Sequence, residues 1–103
     1  MSFKDITVVI TSFKSGNKIF DCINSINPEI KILVIENSND SDLKIKLNKD
    51  YKNVECILSK ENLGYAKGNN FGLKNVYTKF QVFTLLFNYL FIFTGFRENT
   101  GNY

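Results

Sequence analysis

Three polar segments, each following an aliphatic run, hold the residue types that could do chemistry in this 103-residue chain. Glu36 follows Ile32-Leu33-Val34-Ile35 and precedes Asn37-Ser38-Asn39-Asp40. A uracil or thymine ring presents one imide N–H between two carbonyls, and a carboxylate accepts that N–H in a charge-assisted hydrogen bond. The plainer alternatives for Glu36 are a solvated strand end or a cap on the next helix. Thr11 and Phe13 follow Ile6-Thr7-Val8-Val9-Ile10. A hydroxyl and nearby backbone groups could meet base carbonyls while Phe13 covers the ring; otherwise this is a turn with one semi-buried aromatic. The third segment, residues 60–72, reads KENLGYAKGNNFG. Gly64 permits close backbone approach and can open a helix, whose free N–H groups and dipole suit phosphate. Lys60 and Lys67 add positive charge. The spacing matches neither the Walker pattern nor the dinucleotide GxGxxG pattern. Gly68 inside a helix costs about 1 kcal/mol relative to Ala, so something packs closely there, a ligand or another helix.

Other chemistry is excluded by composition. There is no His and no Trp, which removes His-dependent triads, His metal sites and imidazole acid–base catalysis. The two cysteines, Cys22 and Cys56, form no CxxC pair and sit in apolar stretches, so they read as small reduced core residues. The net charge of +3 suits handling of small anions but is far from a nucleic-acid-coating balance. Lys44, Lys46, Lys49 and Lys52 cluster, yet Asp40, Asp42 and Asp50 offset them, which describes a solvated helix face. The start of the chain, MSFKDITVVITSF, is not a secretory signal, so the expected compartment is the cytoplasm.

The elements that position these segments alternate. Residues 6–10 and 32–35 are continuous β-branched or aliphatic runs, suited to strands buried on both faces. Between them, residues 11–17 read as a polar loop, and Asn17 or Ser15 caps a helix showing Ile19, Phe20, Ile23 and Ile26 on one face. Asn27-Pro28 ends it. Asp40 or Ser41 caps a Lys-rich helix running to about residue 50, residues 54–58 form a third strand, and a helix is expected over residues 64–76. This order predicts an α/β fold: a Rossmann-like parallel sheet with helices on both faces, its ligand site beyond the carboxyl ends of the strands.

The composition changes near Lys79. Residues 1–79 carry all twelve lysines and nine of the ten acids, whereas residues 80–96 carry no charge and six of the ten phenylalanines. Residues 81–87 suit a strand with an apolar extension, and RENTGNY reads as an unstructured tail. A seventeen-residue uncharged run is at the low end for a membrane span. If it is not a span, it is an exposed apolar surface that favours self-association.

Taken in order, Ile6-Thr7-Val8-Val9-Ile10-Thr11-Ser12-Phe13, then Val34-Ile35-Glu36-Asn37-Ser38-Asn39-Asp40, then Glu61-Asn62-Leu63-Gly64-Tyr65-Ala66-Lys67-Gly68-Asn69-Asn70-Phe71-Gly72 resemble the amino-terminal half of family 2 glycosyltransferases of the GT-A fold. They are most similar to the rhamnosyltransferase-like branch, and the resemblance covers about residues 5–79. It implies that residues 1–79 are the half of a GT-A domain that binds a UDP- or dTDP-sugar. Base and nucleotide contacts are then expected from Thr11, Phe13, Glu36 and Asn37, with Asn62, Gly64, Lys67, Asn69 and Asn70 lining the pocket. The family more often has Asp where Glu36 stands, and Asp40 matches a family acid that reads as a helix cap. The family role is sugar transfer to a glycan acceptor, in cell-surface polysaccharide biosynthesis.

The sequence departs from the family after the fourth strand. The family places a metal-binding Asn-Pro-Asp or Asp-x-Asp there, and this chain has Asn88-Tyr89-Leu90 with no acid before Glu98. A family domain is roughly twice this length, so the acceptor-binding half and its general base are expected to be absent. Residues 80–103 therefore read as an apolar strand plus an atypical tail, from a truncated or frame-shifted copy. The expectation is no catalytic residue, no metal ligand and no cofactor bound by this chain alone, although the full-length family takes Mg or Mn. The expected partner is a nucleotide-diphosphate sugar rather than nucleic acid, with peripheral association at the inner face of the cell membrane or self-association through residues 80–96. The alternatives are a non-catalytic vestigial fragment and a small membrane-anchored protein.

Overall fold

The computed structural model describes residues 2–59, 76–87 and 90–98. It is a mixed α/β fold with a five-stranded sheet and two helices among the described residues. A short 3-10 turn, Phe3–Asp5, leads into β1 (Ile6–Phe13), followed by α1 (Lys18–Asn24), β2 (Lys31–Glu36), α2 (Ser41–Asp50), β3 (Val54–Leu58), β4 (Phe80–Phe87) and β5 (Leu90–Glu98). The strand order is β3-β2-β1-β4-β5. The first four strands are parallel neighbours, and β5 runs antiparallel to β4.

β1 is central, with partners on both sides, so a Val/Ile/Thr run without alternation fits it: both of its faces are covered. Val8 and Ile10 face one way and pack with Ile32, Val34, Val54, Cys56 and Leu86 of the neighbouring strands. Ile19, Cys22 and Ile23 of α1 and Leu47 of α2 close over that same face. Two crossovers that step in one direction across the sheet place both helices on one side. Val9, Leu33, Ile35, Ile57 and Phe83 face the other way and pack with Val76. Val76 is the one residue of the expected 64–76 helix within the described residues. Each fully buried aliphatic side chain contributes roughly 1.5–3 kcal/mol through its transfer from water.

The helix ends follow their local chemistry. The Asp40 carboxylate caps α2 by accepting from the Leu43 N–H at 3.0 Å. Asn17 stands at the N-cap of α1 without a side-chain cap bond, and Ser25 ends that helix by donating to the Cys22 carbonyl at 2.6 Å. The edge strand β3 is tied to α2: the Cys56 N–H donates to Asn48 Oδ1 at 2.8 Å.

Two expectations are corrected. The segment expected as a loop from Thr11 is still strand through Phe13, because the ladders to β2 and β4 both extend that far or nearly so (Ser12 opposite Glu36, Phe13 opposite Phe87). The tail expected from Arg97 begins too early: Arg97 and Glu98 lie in β5, held opposite Gln81 and Phe80. Among the described residues no helix is long and apolar enough to cross a membrane.

Candidate functional site

The chain leaves β1 for β2 on one side, and β4 returns on the other side of β1. In open α/β sheets this reversal opens a crevice beyond the carboxyl ends of the strands, where ligands bind. Among the described residues the rim is made by the ends of β1, β2 and β3, the segments that follow β1 and β2, and Ser59.

Backbone bonds draw those ends together. The Asn37 N–H donates to the Ser12 carbonyl at 2.8 Å, and the Ser59 N–H donates to the Glu36 carbonyl at 3.1 Å. Small hydroxyls fill the space between. Ser12 and Ser15 share a hydrogen bond of 3.0 Å, and Ser59 Oγ donates to Asn37 Oδ1 at 2.6 Å. Ser12, Ser15, Asn37 and Ser59 are all buried, so these bonds satisfy polar groups that would otherwise be costly.

Glu36 is the densest node. Its side chain is only 1% exposed and is turned onto the backbone that follows it. Oε2 accepts from the Ser38 N–H at 3.0 Å and from the Asp40 N–H at 2.9 Å, and Oε1 accepts from the Ser38 hydroxyl. Two backbone N–H groups and one hydroxyl thus balance a carboxylate removed from water. The Ser38 oxygen also accepts from the Lys14 N–H at 3.2 Å, which joins the segment after β1 to the turn after β2. Three residues with left-handed backbone cluster here: Lys14 at φ 49°, Gly16 at φ 55° and Asn39 at φ 58°. Glycine takes this conformation freely and Asn at small cost, whereas Lys is uncommon there.

The site residues expected from the sequence fall as follows. Thr11, Phe13, Glu36 and Asn37 share the rim. Strand alternation separates their side chains, with Thr11 and Phe13 on the face of Val9 and Glu36 on the face of the helices. Thr11 is buried and Phe13 is half-buried. The Lys14 ammonium stands 5.4 Å from the centre of the Phe13 ring, a cation–π distance. Asn62, Gly64, Lys67, Asn69 and Asn70 lie outside the described residues. Sequence reasoning missed Ser12, Lys14, Ser15, Ser38 and Ser59. A run of serines at the carboxyl ends of buried strands is the signal that could have found four of them; nothing in a lysine announces a left-handed backbone.

Glu36 is turned onto the loop that follows it, Asp40 caps α2, and no group of three His, Cys, Asp or Glu side chains comes together among the described residues. A cavity of about 410 Å³ lies at the opposite, amino-terminal ends of the strands, lined by Thr7, Lys31, Leu33, Lys52, Val76 and Thr78 among others. It is remote from the rim. Compared with models of known protein families the chain matches none, and no curated protein matches it.

Proposed function

We propose that this chain is the nucleotide-binding half of a glycosyltransferase-like, Rossmann-like domain, taking the nucleotide of a UDP- or dTDP-sugar at the carboxyl rim of its sheet. The observation that carries the reading is the junction of β1 and β2, where Ser12 pairs with Glu36 and Asn37 bonds back to Ser12. That junction brings two of the three polar segments to one place, beside the reversal of strand order. A base lying across the strand ends meets Thr11 and Phe13 from one side and the 37–40 turn from the other. The step from β3 back across β1 reverses direction, and Val76 packs on the second face of the sheet.

With Glu36 committed to its turn, the turn's outward groups meet the ligand more readily than the carboxylate does. Inverting sugar transfer needs a base for the acceptor hydroxyl and a cation for the departing diphosphate, and the two acids of the described rim, Glu36 and Asp40, are engaged by the turn and by the cap of α2. The chain alone therefore binds without catalysing, in the cytoplasm. Titration of the purified chain with UDP and dTDP, with and without manganese, tests this. The expected result is saturable binding near millimolar, about −4 kcal/mol. No saturation by either nucleotide refutes the reading and favours a vestigial fold, and turnover of a sugar nucleotide by the chain alone refutes the inactivity.

A further inference from the structure

One contact between the two described loops of the rim runs through a single hydroxyl. Ser38 donates its proton to Glu36 Oε1 and accepts the Lys14 N–H at 3.2 Å, so both kinds of hydrogen-bonding capacity of that hydroxyl are in use. Glu36 in turn holds the Ser38 and Asp40 N–H groups at 3.0 and 2.9 Å. Lys14 and Asn39, one on each loop, are in left-handed backbone, which Asn takes at small cost and Lys keeps only where neighbours impose it.

We propose that Ser38 is a positioning residue of this pocket: its hydroxyl clamps the loop after β1 to the turn after β2, and affinity for a nucleoside diphosphate depends on that clamp. The proposal rests on the nucleotide-binding reading above. Without the hydroxyl, Lys14 loses the acceptor of its N–H and is released towards ordinary backbone angles. The Phe13 ring and the Lys14 ammonium beside it then lose their shared placement at the rim. Ligand must re-order both, and the population competent to bind falls.

The test compares the unsubstituted chain with Ser38→Ala and Ser38→Thr, reading UDP titration and exchange of the Lys14 amide proton together. Ser38→Ala is expected to weaken UDP binding about tenfold, the equivalent of one lost hydrogen bond to a charged group. It is also expected to speed Lys14 exchange, and Ser38→Thr, which keeps a hydroxyl, to restore both. UDP at saturation is expected to slow Lys14 exchange in the unsubstituted chain, a readout that does not depend on how well the alanine variant folds. Saturable UDP binding that Ser38→Ala leaves unchanged, or a Lys14 amide indifferent to UDP, overturns the clamp alone. No UDP binding by the unsubstituted chain overturns the nucleotide reading and the clamp with it.

Discussion

Glu36 shows how burial changes what a residue type can do. A carboxylate at a strand end in water is an open acceptor; here it accepts from Ser38 twice and Asp40 once and is 1% exposed. Glu36→Ala leaves two backbone N–H groups unpaired next to the core and is expected to cost about 2–3 kcal/mol in urea unfolding, with Glu36→Gln costing less because its carbonyl oxygen can still accept. A loss under 0.5 kcal/mol for Glu36→Ala would mean that the turn is held by something else. The cysteines behave in the opposite sense. Burial pushes the Cys22 thiol up to about 11 and the Cys56 thiol up to about 12, the latter helped by the negative charge of Glu36. Both thiols stay protonated in the folded chain where unfolded thiols, near 9.0, ionise. Stability is thus undiminished by these groups below about pH 9 and falls as pH rises from there towards 11 and 12. Thiol-reactive dye at pH 8 should label neither cysteine until denaturant is added; rapid native labelling would contradict their core placement. The residue types alone suggested reduced, buried cysteines and left Glu36 open between a base contact, a solvated strand end and a cap on the next helix. They could not choose among these, because the carboxylate's partners are backbone N–H groups of a turn whose shape is a property of the fold.

At the scale of elements, β3 was legible to the residue and α2 to within the choice of its cap, since a short apolar-rich run and a capping side chain act locally. β5 was not. Its residues read as an apolar extension and tail because their structure comes from a ladder to β4, a pairing that local propensity does not encode. β4 also carries a cost. The Gln81 side chain is 0% exposed, and neither of its amide atoms has a hydrogen-bond partner among the described residues. Gln81→Met keeps the volume and removes the desolvated amide, and it is expected to raise stability by about 1 kcal/mol, read as a higher urea midpoint. A drop in stability would show that the amide is satisfied in solution.

The whole molecule leaves one region of its surface unbalanced. The β4–β5 pairing shifts register between Phe83 and Thr84, so that Gly95 faces Phe83 and Phe93 faces Thr84. This irregularity brings Phe93 and Phe96, three residues apart, to the same face. They are 61% and 58% exposed, and Phe96 stacks on Phe80 at 5.6 Å. An apolar face on a terminal strand favours association between chains. Sedimentation over a concentration series should show self-association, and Phe96→Lys should shift the chain towards monomer. A unsubstituted chain that stays monomeric at all concentrations would rule this surface out as a contact.

The order of strands and helices in residues 6–58, though not every boundary, the polar character of the strand ends and the charge break at Lys79 were determined by the sequence itself, through periodicity, capping and composition that act over a few residues. Only the tertiary structure decided that β4 returns beside β1, that β5 pairs back on β4, and that Lys14 meets Ser38 across 24 positions. The reason is that a ladder or a loop-to-loop hydrogen bond depends on which segments the packed sheet brings side by side, and no local propensity carries that information.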